Sequence, residues 1–171
     1  MIINNFNIVK QKRNNTCGYA TVEMILSFLK GQKINEDYLV ENEPSGAFGI
    51  TFMKVMEVYK KYLKNYKAEI IYGDREVMLE LIKNSLNSNI PLHIQYLTEN
   101  LLGIKEMVLH YGALIGYDDE EESFYIADPF GHIKVLGKED FFTAISFRNE
   151  CLPEIIKQKY PSNMMIKFTL C

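Results

Sequence analysis

The stretch QKRNNTCGYATVEMILSFLK, residues Gln11–Lys30, decides the fold of this chain, because polar turn-forming residues give way there to a long apolar run. After the polar turn, apolar residues recur at three- and four-residue spacing, which is typical of an amphipathic helix that ends at Gly31. Cys17 therefore lies in the first turn of a predicted helix. Gln11 precedes it by six residues.

The position of Cys17 favours a reactive thiolate. The unpaired N–H groups and the dipole of a helix N-terminus stabilise the anion, and only the thiolate is a strong nucleophile. A backbone N–H at the helix start, together with the side-chain amide of Gln11, would stabilise an oxyanion formed on an attacked carbonyl. The alternative for Cys17 is a small apolar core residue, and for Gln11 a solvated loop residue.

Composition indicates a single-domain globular protein. With 171 residues, 47% of them hydrophobic, the chain is long enough to bury one core, and we expect residues 1–171 to form one domain. A net charge of −3 supplies no basic surface for nucleic acid. There is no signal-peptide core and no apolar run long enough to cross a bilayer, so we expect a cytoplasmic protein without membrane insertion. The three cysteines are widely spaced, and no glycine-rich phosphate loop occurs, so we expect no disulfide framework, metal or cofactor.

The chain changes character near Pro91, from helical periodicity to strand-like segments. A second helix is predicted from Thr51 through Tyr66, and a third begins at its N-cap Asp74 and ends near Asn87. The second half alternates short segments of aliphatic and aromatic residues with turns, which predicts a sheet and an α+β class. The predicted strands are 92–97, 108–118, 123–128, 131–136 and 164–170, and a short helix is predicted at 139–145.

A cysteine nucleophile needs a base, and the base needs an orienting partner. A hairpin that turns within Asp118–Glu122 would place His110 beside Asp128, to within a residue or two of register. His93 has no comparable acid, and His132 lies in the turn after Asp128, where a solvated role is favoured. The alternatives are a core histidine at His110 and a turn aspartate before a proline at Asp128.

Several blocks of the sequence resemble the bacteriocin-leader peptidases, family thirty-nine of the papain-like cysteine peptidases. The blocks are CGYATVEMILSFLKG, GITFMKVMEVYKKY, HYGALIGYDD and FYIADPFG, and they span about Val9 to Leu136. The resemblance implies a papain-like fold, in which a helical N-terminal lobe with the nucleophile helix packs on an antiparallel sheet with His and Asp. It also implies a catalytic set of Gln11, Cys17, His110 and Asp128.

The resemblance further implies cleavage of a leader peptide after a small-residue pair of the Gly-Gly type. The family domain usually precedes a membrane transporter, so the implied partners are a peptide substrate and a separately encoded transporter; a fragment of a longer transporter is the other possibility. Two other functions use the same site: acyl transfer to an amine, and leader binding without cleavage. Gly46, Gly49 and Thr51 are candidates for the edge of the substrate cleft, and metal binding by Cys17, His110 and Asp128 is disfavoured because no two of them are close in sequence.

Overall fold

A computed structural model describes residues 1–31, 34–47, 49–98, 108–146 and 163–171. Cys151, the second of the three cysteines, lies outside the described residues. Within them, five helices and six strands form a mixed fold with one antiparallel sheet. The helices are α1 Cys17–Lys30, α2 Glu36–Asn42, α3 Phe52–Tyr62, α4 Arg75–Asn87 and α5 Lys138–Ser146. The strands are β1 Tyr66–Ile71, β2 Leu92–Thr98, β3 Val108–Asp118, β4 Ser123–Asp128, β5 His132–Gly137 and β6 Met165–Leu170.

The sheet has the strand order β1-β6-β2-β3-β4-β5, and all five neighbouring pairs are antiparallel. The run β2-β3-β4-β5 follows the chain, as the alternating segments predicted. The pairs β1-β6 and β6-β2 join segments that are far apart in sequence. The start of β3 and the end of β4 meet at one end of the sheet, and that is where the candidate site lies.

Helices cover both faces of the sheet. Tyr59 of α3 packs edge-on against His93 and Phe168, which share one face. Phe141 of α5 stacks on Phe124, which faces the other way. All of these apolar side chains belong to one buried core. The α+β class predicted from the sequence is therefore confirmed.

The predicted second helix is too long. It ends at Tyr62, and Tyr66 instead begins β1, where it pairs with Leu170 of β6. Helical spacing continues past the true end because alternate residues of a half-buried strand are also apolar, and the strand pairing that decides the matter comes from a distant segment. The seven-residue helix α2 was not predicted, since it is too short to show periodicity. Its clearest signal is Asn35, which accepts a hydrogen bond from the Tyr38 N–H as an N-cap.

Candidate active site

Cys17 is the first residue of α1, and the helix start beside it has no side-chain cap. The preceding Thr16 makes no cap hydrogen bond, because its hydroxyl is engaged with the backbone of Arg13. The first helical hydrogen bond runs from the Ala20 N–H to the Thr16 carbonyl at 3.0 Å. The N–H groups of the first turn thus have no intrahelical acceptor, and they point toward the end where the half-buried thiol lies.

Gly18 docks this helix start on the sheet. A Cβ atom at position 18 would lie 2.3 Å from Cγ2 of Ile50 and 3.1 Å from the ring of Tyr111 on β3. The hydroxyl of Tyr111 in turn donates to the Ile50 carbonyl at 3.0 Å. Glycine after the cysteine is therefore a packing requirement, and it allows α1 to approach β3, the strand that carries His110.

A β-bulge sets the relation between His110 and Asp128. The register next to the β3-β4 turn, if continued, would put Asp128 on the opposite face from His110. The bulge within Leu114–Gly116 shifts the pairing by one residue, so that Asp128 lies across from Gly112. His110 and Asp128 are then diagonal neighbours on one face, and their Nε2 and Oδ1 atoms are 3.1 Å apart. The predicted hairpin brings the two side chains together with an offset of two residues.

Both oxygens of the Asp128 carboxylate are hydrogen bonded. Oδ1 accepts from Nε2 of His110 and from the backbone N–H of Phe130, the latter at 2.7 Å. Oδ2 accepts from the hydroxyl of Tyr96 at 2.6 Å. Burial alone would raise the pKa of Asp128, but these three donors lower it below its ordinary value. The carboxylate is therefore held ionised and in one orientation.

His110 is buried, with 2% of its surface exposed, and its neighbours favour the protonated ring. Burial alone would lower its pKa, but the hydrogen bonds and charges of Asp128 and Cys17 outweigh it and raise the pKa to about 9. Phe130 stacks on the imidazole with ring centroids 4.7 Å apart and an angle of 10° between the planes. Because Nε2 is bonded to Asp128, Nδ1 is the ring nitrogen left for an interaction with the thiol.

Gln11 lies on a loop that is held from two sides. Its backbone N–H donates to the Pro129 carbonyl, directly after Asp128, at 2.7 Å. The next N–H, of Lys12, lies 3.1 and 3.0 Å from the two oxygens of the fully buried Glu36. The side-chain Nε2 of Gln11 donates to the Arg13 carbonyl, which occupies one of its two hydrogens. Its Oε1 is buried with no hydrogen-bond partner in the part of the chain that the structure describes.

The three candidate cleft residues lie in different surroundings. Gly46 and Gly49 form an isolated bridge, and a Cβ at Gly49, where φ is +90°, would lie 2.5 Å from the carbonyl oxygen of Asn15. Gly49 thus lies against the loop before Cys17, and Gly46 lines a cavity of about 200 Å³ together with Asn15 and Thr16 of that loop. Thr51 instead caps α3, because its hydroxyl accepts from the Lys54 N–H.

Within the described residues, neither the other two histidines nor the exposed cysteine has a side chain hydrogen bonded to this group. His93 is fully buried, its Nδ1 is 2.8 Å from the Tyr59 hydroxyl, and burial lowers its pKa to about 3. His132 is exposed at the start of β5, and Cys171 is exposed at the end of the chain. Among the described residues, no group of three or more His, Cys, Asp or Glu side chains is placed to hold a metal ion. The helices of the described residues are all too short or too polar to span a membrane.

Sequence reasoning missed Tyr96 and Glu36. Tyr96 is a strand residue among other apolar ones, and its contact with Asp128 depends on two strand registers. Glu36 belongs to α2, which was not predicted, and its carboxylate is fully buried although glutamate is mostly exposed in folded proteins. Neither contact can be found from spacing alone.

Comparison with known proteins places this geometry in context. The model of the Peptidase_C39 like family matches residues 3–147. No curated protein matches the chain by sequence. The chain is similar in structure to a double glycine motif protease from an AMS/PCAT transporter, crystallised in complex with the leader peptide, with a TM-score of 0.63, 15% identity, and coverage of 96% of this chain and 91% of that chain.

Two further solved structures have the same fold. The peptidase domain of Streptococcus ComA, a bi-functional ABC transporter involved in a quorum sensing pathway, gives a TM-score of 0.61 at 17% identity, with 98% of this chain and 100% of that chain covered. Xylellain, a cysteine protease from Xylella fastidiosa, gives 0.60 at 14% identity, with coverage of 98% and 84%. At these identities the matches establish the fold, which is papain-like as the sequence predicted.

Proposed function

The chain belongs to the Peptidase_C39-like family and is a cysteine-type peptidase, and from this premise we propose that it cuts a peptide bond with Cys17 as nucleophile. In this proposal His110 is the general acid and base, and Asp128 orients it. The observation that carries the proposal is the hydrogen-bonded pair of His110 and Asp128, in which the pKa of His110 is raised and that of Asp128 is lowered. The thiol of Cys17 lies at an uncapped helix start beside this pair.

The proposed reaction has two steps. The Cys17 thiolate adds to the carbonyl carbon, and the C–N bond breaks as the His110 imidazolium gives its proton to the departing amine. The product is a thioester of Cys17. Neutral His110 then takes a proton from water, the hydroxide adds to the thioester carbon, and the C–S bond breaks to release the acid and restore the thiolate.

We propose that Gln11 and the backbone N–H of Cys17 stabilise the oxyanion in both steps. The loop of Gln11 is fixed through the Pro129 carbonyl and Glu36, which gives the amide the rigidity that an oxyanion donor needs. Its Nε2 keeps one hydrogen beyond the bond to Arg13. Loss of one such donor typically costs about a hundredfold to a thousandfold in kcat.

We propose as substrate a peptide with a leader that ends in two small residues of the Gly-Gly type. Similarity to a double glycine motif protease supports this class, and so does the approach of Gly49 to the loop before Cys17, which would narrow the adjacent cleft. A transporter-linked relative supports a membrane transporter as partner and the cytoplasm as the place of action. Residues 1–171 would act as one peptidase domain.

A peptide-cleavage assay with two cysteine variants tests the proposal. Wild type should cut a peptide library with a preference for small residues before the cleaved bond, and Cys17→Ala should reduce cleavage about a thousandfold or more, because it removes the nucleophile. The matched control is Cys171→Ser, which alters an exposed thiol away from the site and should cleave as wild type does. Cleavage that survives in Cys17→Ala would contradict the proposal.

A further inference from the structure

Tyr96 connects the second strand of the sheet to the candidate acid on the fourth. Tyr96 is fully buried on β2, directly across from His110 on β3. Its side chain passes over β3, and its hydroxyl donates to Oδ2 of Asp128 at 2.6 Å. One tyrosine side chain therefore contacts both partners of the His-Asp pair, since its ring also meets the imidazole edge-on at a centroid distance of 5.7 Å.

Gly112 leaves room for this path across β3. It lies between His110 and the bulge, on the same face as both His110 and Asp128. A Cβ at Gly112 would be 3.1 Å from Cε1 of Tyr96 and 2.7 Å from Cγ2 of Ile126. Any side chain at position 112 would push against the ring of Tyr96, so the position of this ring depends on the glycine.

We propose that Tyr96 is a positioning residue of this peptidase, which holds Oδ2 of Asp128 so that Oδ1 remains directed at Nε2 of His110. This inference rests on the proposed function. A carboxylate can rotate and exchange its two oxygens, and a donor fixed on each oxygen prevents that rotation. The Phe130 N–H fixes Oδ1 and the Tyr96 hydroxyl fixes Oδ2. The imidazole is thereby kept in the orientation that presents Nδ1 to Cys17.

The charged and titratable neighbours of Asp128 determine how its pKa changes when the hydrogen bond from Tyr96 is lost. His110 on β3 and Tyr96 on β2 bond to it directly, and the exposed His132 on β5 is its register partner. Lys134, also on β5, lies 5.6 Å from the centre of the Tyr96 ring. With these groups unchanged, removal of the hydroxyl takes one donor from the carboxylate, and the pKa of Asp128 rises.

Tyr96→Phe tests the proposal, because it removes the hydroxyl and keeps the ring. We expect kcat to fall about tenfold and KM to stay within about twofold, because the substrate itself does not contact Tyr96. The acid limb of the kcat profile should move to higher pH. The matched control is Tyr59→Phe, which removes another buried hydroxyl, bonded to His93, and should leave kcat and the acid limb unchanged.

Combining Tyr96→Phe with Asp128→Asn separates positioning from a general effect on structure. If Tyr96 acts through Asp128, it should have almost no further effect on kcat in the Asp128→Asn background. A full tenfold loss in that background would overturn the proposal. So would an unchanged kcat and acid limb in Tyr96→Phe alone.

A substrate-free measurement distinguishes this inference from the proposed function. The rate of Cys17 alkylation by iodoacetamide, measured against pH, follows the protonation of the site without a substrate, and its acid limb should also move to higher pH in Tyr96→Phe. If wild type cuts no peptide, the proposed function fails, but the alkylation profile still decides the role of Tyr96.

If Tyr96→Phe does not fold, a ring-fluorinated tyrosine at position 96 replaces it. Its hydroxyl is a stronger donor and should move the acid limb to lower pH, and an unmoved limb overturns the proposal.

Discussion

At the scale of single residues, the charge of His110 has the most direct consequence for activity. Its pKa of about 9 lies above the ordinary value for histidine, so the folded protein holds the proton more tightly than the unfolded chain does. The stability from this group is therefore complete below about pH 6.5 and is lost as the pH rises toward 9. In the proposed mechanism, the proton for the departing amine is also lost above that range.

We predict that the basic limb of kcat/KM lies near pH 9 and follows the titration of His110. The chain has three histidines, so NMR of the labelled protein can resolve and assign each ring. Asp128→Asn removes a negative partner and should lower both the His110 pKa and the basic limb. A ring that titrates at its ordinary value in wild type would refute this prediction.

The proposed catalytic residues can be identified from the sequence, but the residues that hold them in place cannot. Cys17 can be identified because helix starts have local signals, and His110 with Asp128 because a single short hairpin relates them. Tyr96 reaches Asp128 only through the joint register of three strands, and the bulge within Leu114–Gly116 has no local signature. Positions set by pairing between several strands cannot be obtained from spacing in one chain segment.

At the scale of elements, the close packing around Gly112 of β3 keeps Tyr96 in its position at the candidate site. A methyl group at Gly112 would meet Ile126 at 2.7 Å and Tyr96 at 3.1 Å. We predict that Gly112→Ala lowers the free energy of unfolding by about 1–3 kcal/mol, as overpacking does, and also lowers kcat because Tyr96 is displaced. Denaturant unfolding and a cleavage assay measure the two effects.

Gly137→Ala is the matched control for this strand glycine. Gly137 ends β5, and a Cβ there has no atom within 4 Å. Its unfolding free energy should stay within about 0.5 kcal/mol of wild type, with kcat unchanged. Equal losses at the two glycines would show that the contacts of Gly112 do not matter.

The connection between α2 and the Gln11 loop gives a second prediction at this scale. Glu36→Gln removes the charge and one of the two acceptors of the Lys12 N–H, while it keeps the size of the side chain. We expect a loss of about 1–2 kcal/mol in stability and a several-fold fall in kcat, because Gln11 is held less firmly. In a Gln11→Ala background the same change should leave kcat almost unaltered.

Glu41→Gln is the control, since Glu41 is an exposed carboxylate on the same helix. It should alter neither stability nor kcat measurably. If Glu36→Gln still lowers kcat by its full factor when Gln11 is absent, Glu36 acts on the site by some route other than this loop.

At the scale of the whole molecule, local sequence patterns predict the fold class correctly but miss α2 and β1. Alternation and helical spacing are local, and they identify α1, α4 and the run from β2 to β5. The order of the sheet depends on β6, which lies between β1 and β2 although it comes last in the chain. Residues 66–71 become a strand only because β6 pairs with them, which sequence spacing does not reveal.

His93 lies where α3 meets this sheet, and it links the stability of the core to pH. The imidazole is fully buried among aromatic rings, its Nδ1 is bonded to the Tyr59 hydroxyl, and its Nε2 is without a partner in the described structure. Burial lowers its pKa to about 3, so between pH 3 and 6.5 the unfolded chain binds a proton that the folded protein excludes. The stability from this group is therefore present above about pH 6.5 and is lost as the pH falls.

We predict that His93→Gln removes up to about 1.4 kcal/mol per pH unit from the slope of unfolding free energy against pH between about pH 4 and 6, because a neutral amide takes up no proton. Denaturant titrations at several pH values give the slopes. His132→Gln is the matched control: it replaces an exposed imidazole that lies outside the core, so that variant should keep the slope of wild type. Parallel curves for His93→Gln and wild type would mean that the folded core accepts the proton, and the acid sensitivity of the molecule would then have to come from its carboxylates.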